Sequence, residues 1–132
     1  MYAKRHAPQR GIAAVELALT LPILVTFVFS SIEVSNLIFL RQALLSSSYE
    51  AARVSIRNNA TNASATASAN AVLAARGISG ATVAFNPSDV ATVSRGTPIT
   101  VTVTAPSDSF SIVPILDLSN ASLSVSMNMV KE

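Results

Sequence analysis

The residues able to do chemistry are few and scattered. The chain has one His, His6, and no Cys, so thiolate metal sites, disulfides and a Ser-His-acid constellation are all out of reach. His6 stands beside Lys4 and Arg5 in a polar leader, where an imidazole is a solvated group. Asp89, Asp108 and Asp117 have no spacing that specifies a metal or acid–base pair, no Gly-rich phosphate loop is visible, and the three read as turn residues. Asn59, Asn62 and Asn120 open Asn-x-Ser/Thr triplets that suit small polar loops. Glu50 and Arg53 have the spacing of a surface pair on a helix, worth about a few tenths of a kcal/mol. One group is out of place. Glu16 is the only charge in GIAAVELALTLPILVTFVFSSI, residues 11–32. A carboxylate in hydrocarbon costs about 2.5 to 3.5 kcal/mol at the centre and less near an interface. Glu16 therefore needs a partner, or a depth from which it snorkels into headgroups.

The element that holds Glu16 sets the class of the protein. Crossing a bilayer takes about 20 mainly apolar residues, and residues 12–33 supply them as a predicted transmembrane helix. Half of the 132 residues are apolar and 12% are charged, against roughly 25% charged in an ordinary globular protein. The remaining chain is too small and polar to surround a helix that is apolar on all sides. Lys4, Arg5 and Arg10 precede the span, whereas Glu33 follows it before the first basic residue, Arg41. The positive-inside rule then puts the N-terminus in the cytoplasm and the rest of the chain across the membrane. A cleaved secretory signal has a shorter apolar region and a small-x-small site, which SSIEVSN does not provide. Pro22 removes a backbone donor in mid-span, which membrane helices tolerate with a modest bend. Apart from the three leader charges, six positive groups face seven negative ones, so no basic surface suited to nucleic acid is left.

A basic leader ending in Gly11, an apolar helix behind it and Glu16 as the fifth residue after the glycine resemble the processing signature of type IV pilin-like proteins. The fuller stretch RGIAAVELALTLPILVTFVFSSIEVSNLIFLRQALLSSSYEAAR resembles the TadE-like family of minor pseudopilins, in which a glycine, a Val-Glu pair, an apolar run with proline, a second Glu and a distal Glu-Ala-Ala-Arg recur. The positions that carry it are Gly11, Glu16, Pro22, Glu33, Glu50 and Arg53, within about residues 10–57. The resemblance implies that residues 1–11 are a leader removed by a prepilin peptidase at the bond between Gly11 and Ile12. It also implies that Glu16 pairs with a mature N-terminal amine during subunit assembly, an attraction strengthened by an apolar environment. Pro22, Glu33, Glu50 and Arg53 are expected to be structural. Ile12 departs from the Phe that major type IV pilins favour at that place.

Past the span, Leu37, Leu40, Leu44, Ala51 and Val54 or Ile56 recur near helical spacing. The helix is expected to continue outside the membrane over residues 34–57, making about 70 Å in all at 1.5 Å per residue. Residues 58–80 hold turn and cap residues, an Ala-rich run predicted to form a second helix over about 61–76 or else a low-complexity linker, and Gly77 as a left-handed stop. Small side chains there would allow close packing on the first helix. From residue 81 the period becomes two. Ile99, Val101, Val103 and Ala105 alternate with threonines, and Leu123, Val125, Met127 and Met129 alternate with Ser and Asn. Shorter strands are expected over 82–85 and near 90–94, giving an antiparallel sheet of three or four strands within 81–132. Between the strong strands, Phe110, Ile112, Val113, Ile115 and Leu116 form an apolar stretch that either folds back on the core or contacts another subunit.

The predicted fold is α+β, a long transmembrane helix continuing into a pilin-like domain with a short second helix and a small antiparallel sheet. The resemblance implies a minor pseudopilin of a Tad-type pilus or secretion system, without catalysis or cofactor, in a bacterial inner membrane with its C-terminal domain periplasmic. Its implied partners are membrane lipid, the prepilin peptidase, other minor pseudopilins, the major pilin and the Tad inner-membrane assembly platform; nucleic acid and small-molecule substrates are not expected. The alternatives are an uncleaved single-pass anchor for a periplasmic binding module, and a membrane-tethered enzyme, for which no machinery is visible.

Overall fold

The computed structural model of the chain describes residues 10–107 and 121–132. The leader up to residue 9, the apolar stretch from Phe110 to Leu116, Asp108, Asp117 and Asn120 lie outside the described residues. The elements run α1 (Arg10–Ser55), α2 (Asn62–Ala75), β1 (Thr82–Asn86), β2 (Pro98–Pro106) and β3 (Ser122–Val130), the α+β arrangement predicted.

α1 is one helix with two environments. Residues 11–29 are exposed on every side, whereas from residue 33 a stripe turns inward: Glu33, Leu40, Ala43, Leu44, Ser47, Ser48, Ala51, Ala52 and Ser55 are buried. Leu40, Leu44 and Ala51 are the buried members of the predicted periodicity; Leu37, Val54 and Ile56 are half-buried. The helix stops two residues short of the expected Arg57. There the Arg57 N–H bonds to the Val54 carbonyl, a tighter turn than the helix uses, and Asn59 takes a φ of 60°.

The Ala-rich run does form a helix. Thr61 caps α2, its hydroxyl accepting from the Ser64 N–H at 3.2 Å while the Ser64 hydroxyl accepts from the Thr61 N–H at 3.2 Å, a reciprocal box that satisfies two donors a helix start leaves bare. At the other end Gly77 has φ 70°. Its N–H reaches the Ala74 carbonyl and the Ile78 N–H reaches Leu73, each at 3.0 Å, which is the paired closure a left-handed glycine permits. Ala65, Ala69 and Leu73 face inward. Alanine there lets the helices approach closely enough for the Ser47 hydroxyl to donate to the Ala69 carbonyl at 3.3 Å.

The sheet is antiparallel in the order β1-β2-β3. β1 and β2 align Thr82 with Thr104 and Asn86 with Thr100; β2 and β3 align Pro98 with Val130 and Pro106 with Ser122. Ile99, Val101, Val103 and Ala105 point into the core, with Leu123, Val125, Met127 and Met129 packed beside them, and the hydroxyl-rich rows face away. α1 lies over β2 and β3, and α2 packs on α1 toward β1. The strand expected near 90–94 does not form, so among the described residues the sheet has three strands. Side chains take the backbone groups a ladder would need. The Val90 N–H bonds to Asn62 Oδ1 and the Ala91 N–H to Asp89 Oδ1, each at 3.0 Å, and the Thr92 hydroxyl donates to the Asp89 carbonyl. Val90 is thereby turned into the core.

Candidate membrane-anchoring and assembly site

The membrane-capable half of α1 positions Gly11, Ile12, Glu16 and Pro22. Within Gly11–Ser55 the most apolar window has a mean hydropathy of 2.3, and none of it is buried. Its polar side chains close onto their own helix: the Thr20 hydroxyl donates to the Glu16 carbonyl at 2.9 Å, Thr26 to Pro22 at 2.8 Å and Ser31 to Phe27 at 2.8 Å. No donor hydroxyl of those three is offered bare to lipid, where an unmatched polar group is costly. The helix runs through Pro22 without interruption.

Glu16 differs from these. Its side chain is exposed, and among the described residues no cation or donor reaches it. Successive residues turn by about 100° in a helix, so Glu16, Phe27, Val34, Ile38, Leu45 and Tyr49 fall within a sector of about 60°. The last five are all exposed apolar residues. The stripe that packs on the sheet, from Leu40 through Leu44 and Ser47 to Ala51, lies on another side. The Glu16 face thus continues as an open apolar face as far as Tyr49, before Ala52 at the same angle is buried, a continuity that composition alone does not reveal.

The other positions singled out in the sequence are distributed differently. Glu33 is 2% exposed, at the membrane-side start of the buried stripe, and no hydrogen-bond or ion-pair partner reaches it among the described residues. Glu50 and Arg53 approach to 4.0 Å as an exposed pair, a contact of at most about a few tenths of a kcal/mol. Glu50 also helps line an open groove of about 540 Å³ with Leu45, Ser46, Tyr49, Val72, Arg76 and Met127; Arg76 donates to the Ser46 hydroxyl at 3.2 Å. Among the described residues no three of His, Cys, Asp and Glu gather as a metal site would require.

The pattern along α1 is thus a glycine, a carboxylate five residues on without a partner among the described residues, an uncovered apolar span containing a proline, a second carboxylate, and an exposed Glu-Arg pair. Residues 11–53 match the family model of TadE-like protein. The TadE-like segment is α1 from Gly11 to Arg53 and stops before α2 and the sheet. No curated protein and no solved structure matches the chain. The TadE-like segment together with one helix able to cross a membrane fits a membrane component associated with a Tad pilus, and the family is one of structural pilus components.

Sequence reasoning missed Lys131. Its ammonium is enclosed, the residue being 8% exposed, and donates to the Ser55 and Val90 carbonyls at 3.2 Å each. The Glu132 N–H also reaches the Ile56 carbonyl at 3.2 Å. A cation set on the free carbonyls of a helix C-terminus is favourable, so Lys131 locks the far end of the TadE-like helix to the end of β3. Three segments distant in sequence meet there, and no local pattern signals it.

Proposed function

We propose that this chain is a minor pseudopilin of a Tad-type tight-adherence pilus or secretion system. It is inserted in the bacterial inner membrane with its N-terminus cytoplasmic and its domain periplasmic, and a prepilin peptidase cuts it between Gly11 and Ile12. Glu16 then pairs with a mature N-terminal amine as α1 packs against other minor pseudopilins and the major pilin on the assembly platform. The observation that carries this reading is Glu16, an exposed carboxylate without a partner among the described residues, at the start of an uncovered apolar helix, in the segment that matches the family.

Gly11 adds support. A Cβ built on it meets nothing within 4 Å, so packing does not call for glycine at this place in the first turn of α1. The fold therefore gives no reason for glycine, whereas a protease that must approach the backbone closely does. Mass spectrometry of the membrane-extracted protein is expected to find a chain beginning at Ile12. A Glu16→Ala variant is expected to be cut at the same bond and to enter assemblies poorly. Intact Met1 in assembled material would rule out the processing step and favour an uncleaved anchor; normal assembly of the Glu16→Ala chain would remove the pairing role.

A further inference from the structure

Among the described residues the outer edge of β3 is free along nine residues. Its other edge is fully laddered to β2, from Pro98 opposite Val130 to Pro106 opposite Ser122, and among the described residues nothing pairs with the outer one. In an antiparallel strand alternate residues turn their N–H and C=O to each side, so about four residues of β3 aim both groups outward. Proteins guard such edges with lysine, proline, a bulge or a covering element. The strand, SLSVSMNMV, has no charged residue and no proline, and the register to β2 has no bulge; Lys131, just beyond it, is turned inward.

The inner face of β3 is also incompletely covered. Ile99, Val101 and Val103 on β2 are 0% exposed, while Leu123, Val125, Met127 and Met129 are only half-buried. α1 lies over both strands and still leaves an apolar strip half-open along the rim of β3. Backbone donors and acceptors beside an apolar strip specify a ligand class: an extended peptide whose alternate side chains are apolar.

We propose that the β3 edge receives an extended, uncharged segment of a different polypeptide as a fourth strand, its alternate apolar residues turned toward α1. A second copy of β3 does not suit. β3 ends at the last turn of α1, through Lys131 to Ser55 and Glu132 to Ile56, and packs along α1, so it runs in the same general sense as the helix. Antiparallel pairing of two β3 strands about a two-fold axis would point their α1 helices in opposite directions, which two chains anchored alike in one membrane cannot adopt. Parallel pairing about an axis along the strands would set the apolar strip of one chain beside the hydroxyl-rich face of the other. The direction step rests on the single-pass anchor proposed above; the free edge does not.

The test uses the full chain in lipid nanodiscs, amide hydrogen exchange resolved by residue, and a synthetic peptide ITVTVTA, the sequence that pairs with the other edge of β3. Without peptide, alternate β3 amides should exchange fast. With it they should slow by about tenfold or more, while β2 amides stay unchanged. The double variant Ser124→Lys/Asn128→Lys, which leaves the inner face intact, should lose this protection and keep that of α1 and β2. The proposal is overturned if the alternate β3 amides are already slow in the chain alone, if the peptide protects none of them, or if the double variant is protected equally. Protection that grows with chain concentration in the absence of peptide would identify a second copy as the occupant and overturn it as well. None of these outcomes depends on cleavage at Gly11, so failure here leaves the processing claim standing, and an intact Met1 leaves this edge open to its ligand.

Discussion

Replacing Lys131 by methionine keeps an unbranched stem as far as Cε and removes the ammonium beyond it, leaving the Ser55 and Val90 carbonyls without the donor they share. A buried acceptor stripped of its partner costs about 1 to 3 kcal/mol. Two are stripped here, but the variant also escapes the desolvation of an enclosed cation, and the methionine still fills the apolar part of the channel. The expected net loss is about 1.5 to 3 kcal/mol. For a domain of this size each kcal/mol moves the midpoint by about 4 to 8 °C, so the thermal transition should fall by roughly 6 to 24 °C. Circular dichroism of the full chain in detergent micelles measures it. The loss should be local as well, because exchange at the Glu132 amide, which bonds across the same junction to the Ile56 carbonyl, should quicken before that of the central β2 amides. A Lys131→Met chain within about 0.5 kcal/mol of the parent, the scatter of ordinary surface changes, would refute the view that this ammonium locks α1 to the sheet.

Other expectations follow from single contacts. Leu44→Ala, at a fully buried site between helix and sheet, should cost about 2 to 5 kcal/mol by chemical denaturation; a loss below 1 would mean the site is poorly packed. Thr61→Ala should cost about 1 kcal/mol by removing the α2 cap, read as faster exchange at the Ser64 amide. Gly11→Ala should leave the thermal transition unchanged while blocking appearance of the Ile12 terminus in mass spectra, and a normally processed alanine chain would contradict the demand for glycine.

Much of the architecture is legible because it depends on composition and period. The all-round apolar run of α1, the Ala-rich α2 between its cap residues and Gly77, and the two-residue alternation of β2 and β3 are local signals, and each became the element it implies. The segment near Val90 misled for a local reason too. Its apolar residues mimic a short strand, but Asp89 and Asn62 capture the backbone, and Asn62 is 28 residues away from Val90. Lys131 was silent because its partners lie on two distant segments. At the candidate site the sequence supplies Gly11, Glu16 and the span; the direction in which Glu16 faces relative to the buried stripe requires the folded domain.

The two carboxylates of α1 show what that direction decides. In the sequence Glu16 and Glu33 look alike, each an acid at one end of an apolar run. Seventeen residues of helix, at about 100° each, set them roughly 100° apart around the axis, and the fold treats them oppositely: Glu16 lies on the open face, Glu33 on the face that closes over the domain. A buried carboxylate without a described partner is a burden on stability, so Glu33→Leu should raise the denaturation midpoint of the domain, by about 1 kcal/mol or more. Glu16→Leu touches no packed surface and should leave that midpoint unmoved while depressing assembly. Chemical denaturation of both variants beside a co-purification assay separates the roles. If Glu33→Leu destabilises the domain, Glu33 has a donor that matters to the fold; if Glu16→Leu shifts the midpoint, the open face is not free in the isolated chain.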